Sequence, residues 1–251
     1  MSIDLEKAKR EFIKYTENYD LTNKHIKGKQ LHSLRVMEVS RKIAEGIGLS
    51  QEEIELAEII GLLHDIARFE QYTKYGTFKD FESIDHGNLG CEILKKDIRK
   101  YISDDKYDDI IFKSVKNHNK YQIEKGLTEK EEFFAKLIRD ADKIDILYES
   151  VTMFWKGKEE KVEQSTISDG IIEQFKTCKQ TKTQKDETEV DNIIKVIAFI
   201  FDINFKLSFQ NLKEEDYINK ILNRYDFKDE YTKQKIEEVR KIANNYIENN
   251  A

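Results

Sequence analysis

The sequence predicts an all-α fold, and three observations support this prediction. The 251 residues include no proline and only ten glycines, so few residues interrupt a helix. Lys, Glu, Ile, Asp and Asn are frequent, and apolar residues recur at spacings of three and four. This spacing places apolar side chains along one face of a helix, as the interior of a helical protein requires.

The periodic segments predict six helices in the first 150 residues. Two helix starts are marked by capping boxes, because Ser50 with Glu53 and Thr128 with Glu131 have the required spacing. The predicted segments are Glu6–Tyr19, His25–Ile47, a helix from Ser50 to near His64, His86–Lys96, Asp105–Asn117, and a sixth helix from Thr128 past Asp142.

The chain beyond Phe154 is more polar, and a second polar stretch, Lys179 to Glu189, predicts a loop. Asn192 to Leu212 is the most apolar segment of this part and predicts one helix, followed by two amphipathic helices. No repeat or flexible linker separates these segments from the rest. We therefore expect a helical core over residues 1–150 and a C-terminal helical extension over residues 151–251, packed on that core.

Composition indicates an ordinary globular protein of the cytoplasm. The sequence contains no run of about 18 apolar residues and no basic, apolar start, so we expect neither a membrane partner nor secretion. Cys91 and Cys178 are too few for a disulfide framework. The net charge of −6 argues against an extended nucleic-acid surface. His25 precedes a local basic patch, Lys27 and Lys29, and is expected to be exposed.

Histidines and aspartates stand where the apolar pattern predicts interior positions. His64 and Asp65 end an apolar segment, and a buried imidazole and carboxylate must be satisfied because unpaired buried charges are costly. A divalent metal would satisfy both, whereas a simple hydrogen bond that holds the helix end is the alternative. The same placement, within or at the end of an apolar segment, holds for His32, His86, His118 and Asp142.

The order of these residues resembles the HD-domain superfamily of metal-dependent phosphohydrolases. That family has a His, a His-Asp pair and a distant Asp around one metal, and some branches add two histidines that hold a second metal. The matching positions are His32, the pair His64 and Asp65, the additional His86 and His118, and Asp142. The flanking residues 61–70, 85–87 and 140–145 are similar too, and the resemblance covers residues 28 to 150.

The resemblance implies a metal centre with one or two divalent transition-metal ions. Donors from His and Asp without Cys suit Fe, Mn, Ni, Co or Zn. Asp65 is expected to bridge two ions, because a carboxylate has two oxygens, and to support a nucleophilic bound water. Periodicity alone does not choose among Asp140, Asp142 and Asp145, which lie on or beside the buried stripe of the sixth helix. The family pattern selects Asp142.

Cationic side chains near the ligands are expected to bind a substrate phosphate. Arg68 lies one helical turn past His64, and Lys143 follows Asp142 directly. Both are candidate catalytic residues beside Asp65, because charge-assisted hydrogen bonds to phosphate are strong. Arg35 is a further option, and a solvated surface charge is the alternative interpretation for each.

The sequence departs from three branches of the family. Asn119 follows His118 where cyclic-di-nucleotide phosphodiesterases have a second His, and their Gly-Tyr-Pro signature is missing. The Glu-Asp pair of (p)ppGpp hydrolases and the extra histidines of triphosphohydrolases are missing as well. The predicted function is hydrolysis of a small phosphate ester, possibly a nucleotide, by metal-activated water. A di-iron oxygenase on the same fold and a catalytically silent helical binding module are the alternatives.

Overall fold

The computed structural model of the protein describes residues 3–153, 156–182 and 187–251, and these ranges contain helices and no strand. The all-α prediction is confirmed. The chain forms two compact units, Met1–Asp142 and Lys143–Ala251. The first unit contains α1 (Leu5–Thr16), α2 (Lys24–Gly46), α3 (Gln51–Leu63), α4 (Arg68–Tyr75), α5 (His86–Tyr101), α6 (Asp108–Asn117) and the start of α7 (Glu129–Thr152).

Both predicted capping boxes are present. The Glu53 carboxylate accepts from the backbone N–H of Ser50 at 3.2 Å. At the start of α7, Glu131 accepts from the N–H of Thr128 at 2.7 Å, and the Thr128 hydroxyl accepts from the N–H of Glu131 at 3.3 Å. These contacts satisfy backbone donors that a helix start otherwise leaves unpaired, and they fix where α3 and α7 begin.

The third helix lies at the centre of the first unit. All nine residues from Glu55 to Leu63 are buried, and α2 packs along α3 while α1 and α6 contact it elsewhere. A helix covered on every side ends in the interior, not at the surface. His64 and Asp65, which follow the last residue of α3, are therefore held inside the protein.

The segment between α3 and α5 contains a short helix that the periodicity did not predict. Only Phe69 and Gln71 of α4 are buried, which is too few residues to produce a recognisable apolar period. The helix ends at Gly76, whose φ of 69° favours glycine. A 3-10 turn, Asp80–Glu82, then leads into α5.

The second unit is built from short helices around one long C-terminal helix. The last helix packs against the two helices that directly precede it and against the short helix Asp169–Lys176. None of the helices in the described ranges is long and apolar enough to cross a membrane. The elements are α8 (Glu159–Glu163), α9 (Asp169–Lys176), α10 (Glu189–Ile197), a 3-10 turn (Ala198–Asp202), α11 (Lys206–Glu215), α12 (Tyr217–Leu222) and α13 (Glu230–Asn250).

The prediction of one helix over Asn192 to Leu212 is wrong. The backbone leaves the helix at Ile203, which is extended with φ −75° and ψ 139°, and helix resumes at Lys206. Asn204 donates its side-chain amide to the Asp202 carbonyl at 2.8 Å, a local contact that competes with helix continuation. Phe154 and positions 183–186 of the predicted loop lie outside the described residues.

Gly61 lets α3 approach α2 closely, and a methyl group there is expected to destabilise the fold. A Cβ at Gly61 would lie 2.9 Å from both the Met37 Cα and the Val36 carbonyl oxygen, so the backbone of α2 would have to move. Overpacking of this kind costs about 1–3 kcal/mol. We expect Gly61→Ala to lower the midpoint of thermal unfolding by roughly 3–10 °C in a chain of this size.

Gly28→Ala is the matched control for this prediction. Gly28 also lies in a helix, α2, but nothing lies within 4 Å of the position of its Cβ. Since alanine favours helix over glycine, this change should leave the midpoint unchanged or raise it slightly. Equal midpoints for Gly61→Ala and the parent protein would show that the close approach of α2 and α3 does not require glycine.

Candidate metal centre

Four side chains from three helical segments converge at the end of α3. His32 lies on α2, His64 and Asp65 follow α3, and Asp142 lies on α7. The Nε2 atoms of the two histidines are 3.2 Å apart, and Asp142 Oδ1 lies 3.1 Å from His32 Nε2 and 3.5 Å from His64 Nε2. Asp65 Oδ2 lies 3.6 Å from each of these nitrogens. We refer to His32, His64 and Asp142 as the first donor group.

A second pair of histidines approaches the other side of Asp65. His86 is the first residue of α5, and His118 directly follows α6. Their Nε2 atoms are 3.0 Å apart, and each lies 3.4 Å from Asp65 Oδ1. We refer to His86 and His118 as the second donor group. The two oxygens of Asp65 therefore face two separate groups of donors.

The hydrogen bonds of the histidine rings show which ring nitrogen has a lone pair available for a metal ion. The Nδ1 of His64 bonds the Gly61 carbonyl at 2.7 Å, and the Nδ1 of His118 bonds the Val115 carbonyl at 2.7 Å. Because a carbonyl accepts only, each Nδ1 carries the proton, and each Nε2 of a neutral ring carries a lone pair. The Nδ1 of His86 lies 2.7 Å from the carboxylate of Asp80. Because an ionised carboxylate accepts only, this Nδ1 also carries the proton.

This donor set fits a divalent metal. The Nε2 lone pairs of His86 and His118 point at one another across 3.0 Å, an arrangement that repels unless a cation lies between them. Donors bonded at about 2.1 Å to one ion lie about 3.0–3.4 Å apart, close to the separations in both groups. His32, His64 and Asp142, and likewise His64, Asp65 and His118, can each hold a metal ion.

The electrostatics of the site favour ionised Asp65 and Asp142 and neutral His86 and His118. Burial favours a raised pKa for Asp65, but the positive charges of Lys29 and Arg68 oppose burial, and that pKa lies well below its usual range. Burial lowers the pKa of His118, and it lowers the pKa of His86 to about 3. Ionised carboxylates and neutral imidazoles are the protonation states in which these side chains bind metals.

Two cations lie against Asp65. Lys29 donates to Asp65 Oδ2 at 2.8 Å, and Arg68 Nε donates to Asp65 Oδ1 at 3.3 Å. Both lie over the ring of Phe78, with Lys29 Nζ 5.7 Å and the Arg68 guanidinium carbon 5.5 Å from its centroid. The site therefore has positive charge beside both oxygens of its central carboxylate.

Asp80 contacts His86 of the second donor group at Nδ1, the ring nitrogen that does not face Asp65. Besides the Nδ1 of His86, its carboxylate accepts from Gln71 Nε2 at 2.9 Å, from Asn119 Nδ2 at 2.9 Å and from Arg68 Nη1 at 3.3 Å. A carboxylate behind a ligating imidazole fixes the orientation and the tautomer of the ring. Sequence reasoning missed this residue, because Asp80 lies in a polar segment between two helices.

The structure places the other predicted cations differently. Lys143 is buried and forms an ion pair with Asp202 at 2.8 Å, and its ammonium lies 5.7 Å from the Phe199 ring centroid. Arg68 keeps its contact with Asp65, and Arg35 is half-buried. Lys29 was predicted only as part of a surface basic patch. Its position three residues before His32, on the same helix face, is the sequence feature that could have identified it.

Buried Arg139 fixes the chain that follows the second donor group. Its Nη1 donates to the carbonyls of Asn117 and Lys120 at 2.7 Å and of His118 at 3.3 Å. The Asn117 carbonyl belongs to the last turn of α6, where backbone acceptors have no partner within the helix, and the other two carbonyls follow that turn. The Arg139 side chain thus holds His118 at the helix end.

Comparison with known families agrees with this geometry. Residues 31–147 match the family model described as the HD domain. All six residues of the two donor groups and Asp65 lie within the match. This segment is therefore similar to an HD domain, in agreement with the resemblance of the sequence to that superfamily. Searches of curated proteins and of solved structures returned no match.

Proposed function

We propose that this protein is a metal-dependent phosphohydrolase that hydrolyses a small phosphate ester. The observation that carries the proposal is the position of Asp65, whose Oδ2 faces the first donor group and whose Oδ1 faces the second. A carboxylate placed in this way is suited to bridge two ions. The ligands would be His32, His64, Asp142 and Asp65 Oδ2 for one ion, and His86, His118 and Asp65 Oδ1 for the other.

The metal would supply a nucleophile and charge stabilisation. A bound divalent ion lowers the pKa of water to near 7 and neutralises charge on a transferring phosphoryl group. The protein contributes the positions of the ligands, since all four histidines and Asp65 are buried. Such a site admits the phosphate end of a small molecule more readily than the middle of a polymer. Iron, manganese, nickel, cobalt and zinc all suit these donors.

Arg68 is the predicted cation that supports the substrate phosphate in this proposal. Its Nε and Nη1 bond protein acceptors, which leaves Nη2 with no partner among the described residues. A guanidinium held in this way offers an N–H in a fixed direction at low entropic cost. Lys143 has no such role in the proposal, because Asp202 already balances its charge.

The proposal is tested by elemental analysis of the purified protein, followed by a phosphatase screen with the metal that is found. We expect close to two ions per chain, phosphate release from at least one class of small ester, loss of turnover with a chelator, and its return with the metal. A metal-loaded protein that releases no phosphate but consumes oxygen and shows a di-iron absorption band would instead support the oxygenase alternative.

A further inference from the structure

Lys29 is the cation of the metal centre to which the proposed function gives no role. Its ammonium has three N–H donors, and among the described residues Asp65 Oδ2, at 2.8 Å, is the acceptor that it reaches. The Lys29 side chain is 19% exposed, so it lies at the margin between the buried ligands and solvent. Two of its N–H groups therefore remain for water or for a ligand.

Arg68 on the other oxygen of Asp65 is held much more firmly. Its Nη1 alone bonds Gln71 Oε1 at 2.8 Å and the Phe78 carbonyl at 2.6 Å. Lys29 has no comparable set of acceptors and touches Phe78 only through the ring face. The Lys29 ammonium can therefore turn towards a ligand, whereas Arg68 offers a ligand only its Nη2 in a fixed direction.

An ion in the first donor group would compete with Lys29 for the charge of Asp65. The oxygen that Lys29 bonds, Oδ2, also faces His32 and His64 at 3.6 Å. A cation coordinated by this oxygen draws on the same negative charge. The Lys29 ammonium is mostly buried. When a metal ion shares the negative charge of Asp65, the ammonium needs a second anion, because burying an unbalanced charge is costly.

We propose that Lys29 binds a terminal oxygen of the substrate's phosphoryl group and that the substrate is a phosphate monoester. This inference rests on the proposed function and names its substrate class. A monoester presents three terminal oxygens and a charge of about −1.5 to −2 at pH 7. A diester presents two terminal oxygens and a single charge. Lys29, as a cation in addition to the metal ions, can bind the extra terminal oxygen and the extra charge that a monoester has.

The test compares two esters that share one leaving group, p-nitrophenyl phosphate and methyl p-nitrophenyl phosphate. For the metal-loaded parent protein we expect a higher kcat/KM with the monoester. In Lys29→Met we expect a fall of roughly 100-fold for the monoester, the scale of one lost charge-stabilising donor, and a much smaller fall for the diester. A purely structural role of Lys29 would lower both rates alike, and that outcome overturns the inference.

Lys27→Met is the matched control, because Lys27 is exposed on the same helix and, among the described residues, donates to Gln30 Oε1 alone, at 2.6 Å. It should leave both rates unchanged. The metal content of Lys29→Met should equal that of the parent, since methionine removes a competitor for Asp65 and no ligand. A Lys29→Met protein that loses its metal would place Lys29 in the support of the ligands and would contradict the inference.

Binding of inorganic phosphate to the metal-loaded protein separates this inference from the proposed function. Calorimetric titration requires no turnover, so it reports on Lys29 even if no ester is hydrolysed. We expect phosphate to bind the parent at least about 10-fold more tightly than Lys29→Met, which corresponds to about 1.4 kcal/mol. Equal affinities would exclude Lys29 as a phosphate ligand, whether or not the protein proves to be a hydrolase.

Discussion

Asp65→Ala is expected to remove both ions of the proposed metal centre and to abolish the proposed phosphate-ester hydrolysis. Asp65 is the side chain that reaches both donor groups, with Oδ2 3.6 Å from His64 Nε2 and Oδ1 3.4 Å from His118 Nε2. Loss of an outer partner of a ligand costs about 10–100-fold in affinity or activity, so loss of a shared ligand should cost more than about 10³-fold. Elemental analysis and phosphate release measure the two effects.

Asp97→Ala is the control for this substitution. Asp97 is a partly exposed carboxylate on α5 that pairs with Lys100 at 2.9 Å. It is distant in sequence from the residues of the donor groups and is more exposed than they are. The change removes the same atoms and should affect neither metal content nor turnover. Circular dichroism should show a helical Asp65→Ala protein, because the apolar core is unchanged. Full metal-stimulated turnover in Asp65→Ala would refute the proposed mechanism.

Asp80→Asn is expected to empty the second donor group and leave the first occupied. The substitution keeps the shape of the side chain but replaces a charged acceptor of the His86 Nδ1 proton, at 2.7 Å, with a neutral amide. His86 then loses the charge-assisted hydrogen bond that favours its tautomer and fixes its orientation. We expect metal content to fall from about two ions to about one, and turnover to fall about 10–100-fold.

Glu82→Gln gives the matched comparison, because Glu82 lies in the same 3-10 turn, is exposed, and pairs only with Lys79 at 2.9 Å. It should change neither quantity. If Asp80→Asn retains the metal content of the parent protein, Asp80 does not position His86 for metal binding, and its contacts serve only to close the loop.

Much of the fold and of the candidate site follows from local sequence features. His64 and Asp65 were predictable because α3 ends in the buried apolar run Ile59–Leu63, and a polar pair directly after it must lie inside. The capping boxes at Ser50 and Thr128 were predictable for the same reason, since both features depend on residues that are close in sequence. The break before Asn204 was not, because one side-chain contact decides it within an otherwise apolar segment.

The residues that support the site were harder to predict, because they depend on distant parts of the chain. Asp80 meets Asn119 across 39 positions, and no periodic pattern records such a contact. Lys143 was chosen for its adjacency to Asp142, but neighbouring helix residues point in directions about 100° apart. The Lys143 ammonium instead forms its ion pair with Asp202. Sequence adjacency to Asp142 therefore did not indicate the ion pair that Lys143 forms.

The facing imidazoles of His86 and His118 have a consequence for the lifetime of the folded chain. Two imidazole lone pairs held 3.0 Å apart in the interior repel each other, and a bound cation between them would remove that repulsion. A ligand that binds only the folded state stabilises it by about 4 kcal/mol when present at 1,000 times its dissociation constant. The supply of metal would then govern how often the chain unfolds and is exposed to proteolysis. In a cell short of the ion, the protein would be removed before it could accumulate in an inactive form.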